Sequence, residues 1–430
     1  MMRPTQQKKV TRLSIVIGLL LVFGLYLPTS VAANESKILL GINYVLCPVL
    51  LALLIQGFDS LASFPACLVL FSAIPLLVAF TALSPIREYS FGELTAFVVV
   101  SALFMMNLRR LKMTRWLLNL FIIISIINIA GGLFILFGSE LVTRVLVTYY
   151  SHFYPDLVPA MLLVRKPVLT FGTHSLAGFF LYLFFYMSLR SYKVKGKRVY
   201  LVLALCYVCL TLALLSVTGL VLACVGGLQI LHVLWSRLSL KWFWLSVPVT
   251  LIFLVASLPL THFTGQFGQY WEVIRDGAKA ILTAPGNGVL GRLTPAGTMY
   301  PALEYVTEHP FTPLGVSRKS DLLISDMGLL DYYLRGSVFL VVWAYGGLFF
   351  FLKRSLLDRR DLYFLFSVII AFEIGFSSLT YFRMPYLLAF FVIYLNGLRE
   401  SETQVADPLH MMHPQGNRSA GREAIRMDPA

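Results

Sequence analysis

Trp116–Gly138 reads WLLNLFIIISIINIAGGLFILFG, an uncharged run long enough to cross a bilayer as one helix. Four basic residues, Arg109, Arg110, Lys112 and Arg115, stand just before it. Runs of the same kind recur along almost the whole chain. Of its 430 residues 58% are hydrophobic and 13% charged, a balance that excludes a soluble domain of this size. The short alternating segments of a β-barrel do not occur. The expected class is therefore all-α, a polytopic helical membrane protein.

Spans are expected over 13–33, 38–56, 60–83, 92–108, 116–138, 170–189, 199–216, 219–235, 242–260, 336–352, 362–379 and 384–398. The first is too long for a signal peptide, and further spans follow at once, so it reads as a retained helix. Twelve spans leave both termini on one side. With the N-terminus inside, 23 of the 35 Lys and Arg fall in the cytoplasm and 12 outside. Most of those 12 lie in two long segments, which the orientation rule discounts. Both termini are accordingly expected in the cytoplasm, and the net charge of +14 needs no nucleic acid to explain it. Residues 1–398 make the bundle and its loops, and 399–430 a disordered cytoplasmic tail. All five cysteines sit in apolar runs, so Cys206 and Cys209 read as packing residues, not a redox or zinc pair.

The two long outside segments are Ser139–Thr170 and Thr261–Arg335, both beyond what a connection needs. In the larger, Trp271, Ile274, Ala278 and Ile281 lie at helical spacing opposite Glu272, Arg275 and Lys279. That pattern predicts an amphipathic helix on the interface, ended by the turn Pro285–Gly286–Asn287–Gly288. A second short helix is expected over Ala302–Glu308.

Three constellations there could carry chemistry. Arg165 and Lys166 precede Phe171–Gly172–Thr173–His174, where adjacent cations at a helix start suit a phosphate or a lipid headgroup. Gly291–Arg292, Glu308–His309–Pro310 and Leu314–Gly315–Val316 form the second. Ser325–Asp326–Met327–Gly328 with Asp331–Tyr332 forms the third. A carboxylate beside an arginine can serve as a general base next to a phosphate clamp, or simply be solvated loop charge. Glu373 stands mid-span, as a proton-relay group or a structural acceptor. Arg383, past the end of the eleventh span, is a further candidate for a phosphate contact. Nothing points to ATP, a metal or another cofactor.

In these residues the chain resembles the O-antigen polymerase and O-antigen ligase (Wzy-like) superfamily of bacterial envelope enzymes. The resemblance covers roughly residues 165–398 and lies in the order of short motifs. Arg165–Lys166–Pro167 to Gly178 is similar to the family's arginine followed by a phenylalanine–glycine turn into a helix. Gly291–Arg292 through Pro310 to Leu314–Gly315–Val316 is similar to its arginine, amphipathic run, proline and glycine turn. Ser325–Asp326–Met327–Gly328 resembles the polymerase SD-x-G-Y box. Relatives carry a Ser/Thr–Arg pair where this chain has Ser216–Val217–Thr218–Gly219, and ligases a loop histidine near Asp326.

The resemblance implies a metal-independent glycosyl transfer on the outer face of the bacterial inner membrane. Polyprenyl-diphosphate-linked repeat units would be polymerised there, with membrane lipid, a flippase and a chain-length regulator as partners. Arg165, Lys166, His174, Arg292, Arg318 and Arg383 would bind substrate, and Asp326 or His309 would be the base. The alternatives are an O-antigen ligase, or a transporter of the same lipid-linked sugar coupled through Glu373.

Overall fold

The computed structural model describes residues 15–19, 21–26, 64–86, 89, 91–111, 115–151, 156–214, 216–235, 293–295, 297, 299–309, 313–317, 327–381 and 383–406. Among these the chain is helical, and the one β-bridge joins Tyr89 to Ser317. After a helical stretch over 15–19 and 21–26 come α1 (Phe64–Phe71), α2 (Ala73–Leu83), α3 (Phe91–Met105) and α4 (Arg115–Leu136). Then follow α5 (Glu140–Tyr150), α6 (Leu157–Leu163), α7 (His174–Lys195), α8 (Arg198–Ala213) and α9 (Val217–Trp235). The last four are α10 (Tyr300–Glu308), α11 (Gly328–Ser355), α12 (Arg359–Glu373) and α13 (Met384–Ala406).

Among the described residues three helical segments are long and apolar enough to cross a membrane: Pro65–Leu83, Trp116–Leu136 and Gly328–Ser355. Ile123, Ile126, Ile127 and Phe134 along α4 are exposed, a surface suited to lipid and not to water. By contrast α7 is buried without interruption from Leu176 to Phe185, and α13 from Met384 to Leu398. These two helices form the centre, with Phe121 and Phe184 stacking across it and Ser191 bonding Tyr394 at 2.6 Å.

Hydrogen bonds between distant residues sort the helix ends into two sets. One set joins Thr81 to Val316, Arg335 to Gly315, Asp331 to Ser377, and Arg383 to Thr170 and Leu25. The other joins Arg354 to Phe104, Leu108 to Ser355, Arg190 to Asp361, and Asn396 to Leu357 and Ser355. The second set is the basic end, with Arg109, Lys193, Lys195, Lys197, Arg198, Lys353 and Arg354 about it. The first is called the loop end here.

The helices differ from the expected spans in four places. Among its described residues the segment 139–170 carries α5, α6 and a 3-10 turn at Leu169–Phe171. Helix α11 starts at Gly328 instead of 336, α12 stops at Glu373 instead of 379, and α13 continues to Ala406 into the expected tail. The short helix expected over Ala302–Glu308 is α10, begun two residues earlier. Spans 38–56 and 242–260, the amphipathic helix around 271–281 and residues 407–430 lie outside the described residues.

Candidate functional site

Helix α11 is broken. Gly336 (φ −151°) and Ser337 (φ 57°, ψ −160°) leave the helical region, and Ser337 holds a left-handed φ without being glycine. A straight helix of 28 residues would run about 42 Å, against about 30 Å of bilayer hydrocarbon. Val338–Ser355, after the break, runs about 27 Å and suits the hydrocarbon by itself. Hence the apolar second half of α11 is long enough for a span without its polar first half.

The break is filled by the loop. Leu314 N donates to Leu334 O (2.8 Å) and Gly315 N to Arg335 O (3.0 Å). Val316 N donates to Thr81 Oγ1 at 2.8 Å, and that hydroxyl donates to Leu77 O at 2.6 Å. Gly315 needs its φ of +61°, and a Cβ there would strike Thr81 and the Leu77 carbonyl. Two carbonyls loosened by the break, Leu334 O and Arg335 O, thus find partners, as buried irregular backbone requires.

Beside the break lies a buried charge cluster. Arg335, 4% exposed, donates from Nε to Asp331 Oδ1 (2.6 Å) and from Nη1 to Gly315 O (3.2 Å), and pairs with Glu93 on α3. Ser377 Oγ donates to the second Asp331 oxygen at 2.6 Å. One guanidinium therefore serves two carboxylates and the inserted loop. The Asp331–Arg335 spacing of four residues on a helix was the available signal for this pair. Reading 261–335 as loop hid it, and nothing in the sequence linked Glu93 to it.

Glu373 is not mid-helix. It closes α12, and its Oε1 accepts from Ser378 Oγ (2.6 Å) and Leu379 N (2.8 Å), satisfying the turn that follows. This corrects the mid-span placement: the polar Ser377 and Ser378 end the apolar run early. Gly328 lies directly under the carboxylate, where a Cβ would collide with Oε2.

Of the other expected site residues, Arg165 is exposed, with a left-handed backbone (φ 57°) and its guanidinium packed over Gly138. Lys166 is half-buried, and burial holds its ammonium below the usual lysine range. His174 opens α7, whose first turn is capped by the Thr173 hydroxyl. His309 is exposed at the end of α10, its ring 4.8 Å from that of Tyr305, on a small groove that also touches Tyr333 and Ser337.

Arg383 departs from the expected role. It is 1% exposed, its Nη1 donates to Leu25 O (3.1 Å) and Thr170 Oγ1 (3.0 Å), and it lies over the rings of Tyr150 and Phe171. It clamps three chain segments together and offers no open face to a phosphate. Arg292, Arg318 and Asp326 lie outside the described residues.

What the structure does bring together is the set of motif neighbourhoods. Thr170, after Arg165–Lys166, bonds Arg383; Ser377, a few residues earlier on that turn, bonds Asp331; Arg335 bonds Gly315. Comparison with protein-family models, with curated proteins and with solved structures finds no match for this chain.

Proposed function

We propose that the chain is a membrane glycosyltransferase of the Wzy-like kind, with twelve spans and both termini in the cytoplasm of a bacterial cell. It polymerises polyprenyl-diphosphate-linked repeat units on the outer face of the inner membrane, without a metal. The observation that carries this reading is the gathering of the motif neighbourhoods, separated by more than a hundred residues, at the loop end of one bundle. Among the described residues Lys and Arg are fewer at that end than at the basic end, which supports its placement outside.

In the proposed reaction an acceptor hydroxyl attacks the anomeric carbon of the donor, and the bond from that carbon to the diphosphate breaks. The hydroxyl proton passes to Asp326 or His309. Arg165, Arg292 and Arg318 stabilise the departing polyprenyl diphosphate, with Lys166 and His174 at the flank. Arg383 drops out of this set, because its guanidinium is committed within the fold. Alanine at Arg165, Arg292 or Asp326 should leave single repeat units on lipid and abolish long polymer. Wild-type chain lengths in all three variants would overturn the reading.

A transporter of the same lipid-linked sugar is the second reading, favoured by the broken α11 beside buried carboxylates, a feature of transport sites. The lipid-linked intermediates of a deletion strain separate the two. Single repeats accumulating on the outer leaflet identify a polymerase, and accumulation on the inner leaflet identifies a transporter.

A further inference from the structure

The two oxygens of Glu373 face different surroundings. Oε1 takes the two hydrogen bonds that close α12, from Ser378 and Leu379. Oε2 is buried and accepts no well-formed bond, although the Tyr332 hydroxyl lies within its reach. Beside it the hydroxyl of Tyr332, fully buried on α11, also lacks a well-formed bond. Two buried polar groups without a well-formed bond each carry a desolvation cost that a shared proton relieves.

Charge decides how they are satisfied. Among the described residues the groups facing Glu373 are Asp331, Tyr332 and Tyr345 on α11 and Ser378 on its own turn, and none of these is a cation. Arg335, which pairs with the neighbouring Asp331, is shared by Asp331 and Glu93. That cluster already has one negative charge in excess, and an ionised Glu373 would make two. The first turn of α11 does favour an anion, but a helix end supplies only a partial positive charge. An uncompensated buried carboxylate costs several kcal/mol. The close seat of Oε2 on Gly328 leaves the proton as the cation that fits.

We propose that Glu373 is a proton-binding site: the neutral acid carries its proton on Oε2, donates it to the Tyr332 hydroxyl, and so joins the end of α12 to the first turn of α11. This holds whether the protein polymerises or transports, since it rests on neither.

Dicyclohexylcarbodiimide tests it, because this apolar reagent adds to neutral acids in dry surroundings. The acid proton moves to a carbodiimide nitrogen, the carboxylate oxygen bonds to the central carbon, and rearrangement leaves a stable N-acylurea with no redox change. With the full chain in lipid nanodiscs, mass spectrometry should find the adduct on Glu373. It should decline about tenfold per pH unit once the acid ionises, and vanish in Glu373→Gln. An adduct indifferent to pH would overturn the proposal.

Melting of the same two proteins covers the case of a carboxyl the reagent does not reach. The Gln side chain keeps a donor toward Tyr332. Wild type and Glu373→Gln should melt together in mildly acidic buffer and separate as pH rises, wild type falling. Parallel curves across that range would overturn the proposal equally.

Discussion

The two ends of the bundle use the same chemistry to opposite effect. At the basic end Arg190 reaches Asp361 (3.2 Å) and Asp358 (3.6 Å), and Tyr186 donates to Asp361 at 2.6 Å. The helices there finish in regular ways: Gly196 in the left-handed region after α7, the Asp358 side chain capping α12, and Asn396 bridging Leu357 and Ser355. At the loop end Arg335 also joins two carboxylates, but around a broken helix with a loop inserted and a strained Ser337. Ion pairs by themselves do not mark a site. Irregular backbone that needs an ion pair to hold it does, because strain persists only where its surroundings over-determine it.

The sharpest way to break this contrast is to remove each arginine. Arg335→Ala should cost about 3–5 kcal/mol, since it strands Asp331 and Glu93 and frees the Gly315 carbonyl. Arg190→Ala should cost less, about 2 kcal/mol, because Asp361 keeps its bond from Tyr186, Arg190 itself is partly exposed and no inserted loop depends on it. Equal losses in reversible unfolding from detergent would remove the distinction between the ends.

Glycine replacement sharpens it further. Gly315→Ala must force a side chain into Thr81 and Leu77 at a positive φ, for a loss of about 1–3 kcal/mol. Gly346→Ala, in the regular half of α11 with nothing within 4 Å, should be neutral or stabilising by up to about 1 kcal/mol. Thermal midpoints of the two variants should move in opposite directions or differ plainly.

The smallest effect lies at the basic end. Burial, with Lys197 adding to it, pushes the Lys195 ammonium down to about 8. The fold therefore disfavours its charged form, and that small penalty is relieved as pH rises from about 8 toward the ordinary lysine range. Acylation of Lys195, followed by peptide mass, should be half-maximal near pH 8; a midpoint in the ordinary lysine range would show that the burial is not felt.

Hydropathy made much of the bundle legible. The runs behind α1–α2, α3, α4, α7, α8, α9 and α13 are apolar enough to announce themselves. It failed where polar residues are buried by mutual pairing: Asp331 and Arg335 look like loop but occupy a helix. It also failed where a short motif has a mechanical role. Leu314–Gly315–Val316 was legible as a glycine turn, yet not as the piece that fills a break twenty residues downstream. Arg383 misled for the same reason, since a sequence shows a charge but not what neutralises or surrounds it. Asp326, Arg292 and Arg318 retain the roles that resemblance suggests, as proposals.

The loop seated in the break of α11 has a consequence for biogenesis. The lower half, Val338–Ser355, is apolar and can enter a bilayer alone, whereas the first half carries Asp331 and Arg335 and makes backbone bonds to Leu314 and Gly315. Those bonds need Thr81 and Glu93, supplied by helices made more than two hundred residues earlier. The first half of α11 can therefore mature only after the N-terminal helices stand in place, and truncating them should leave α11 inserted at its lower end and open at its upper one.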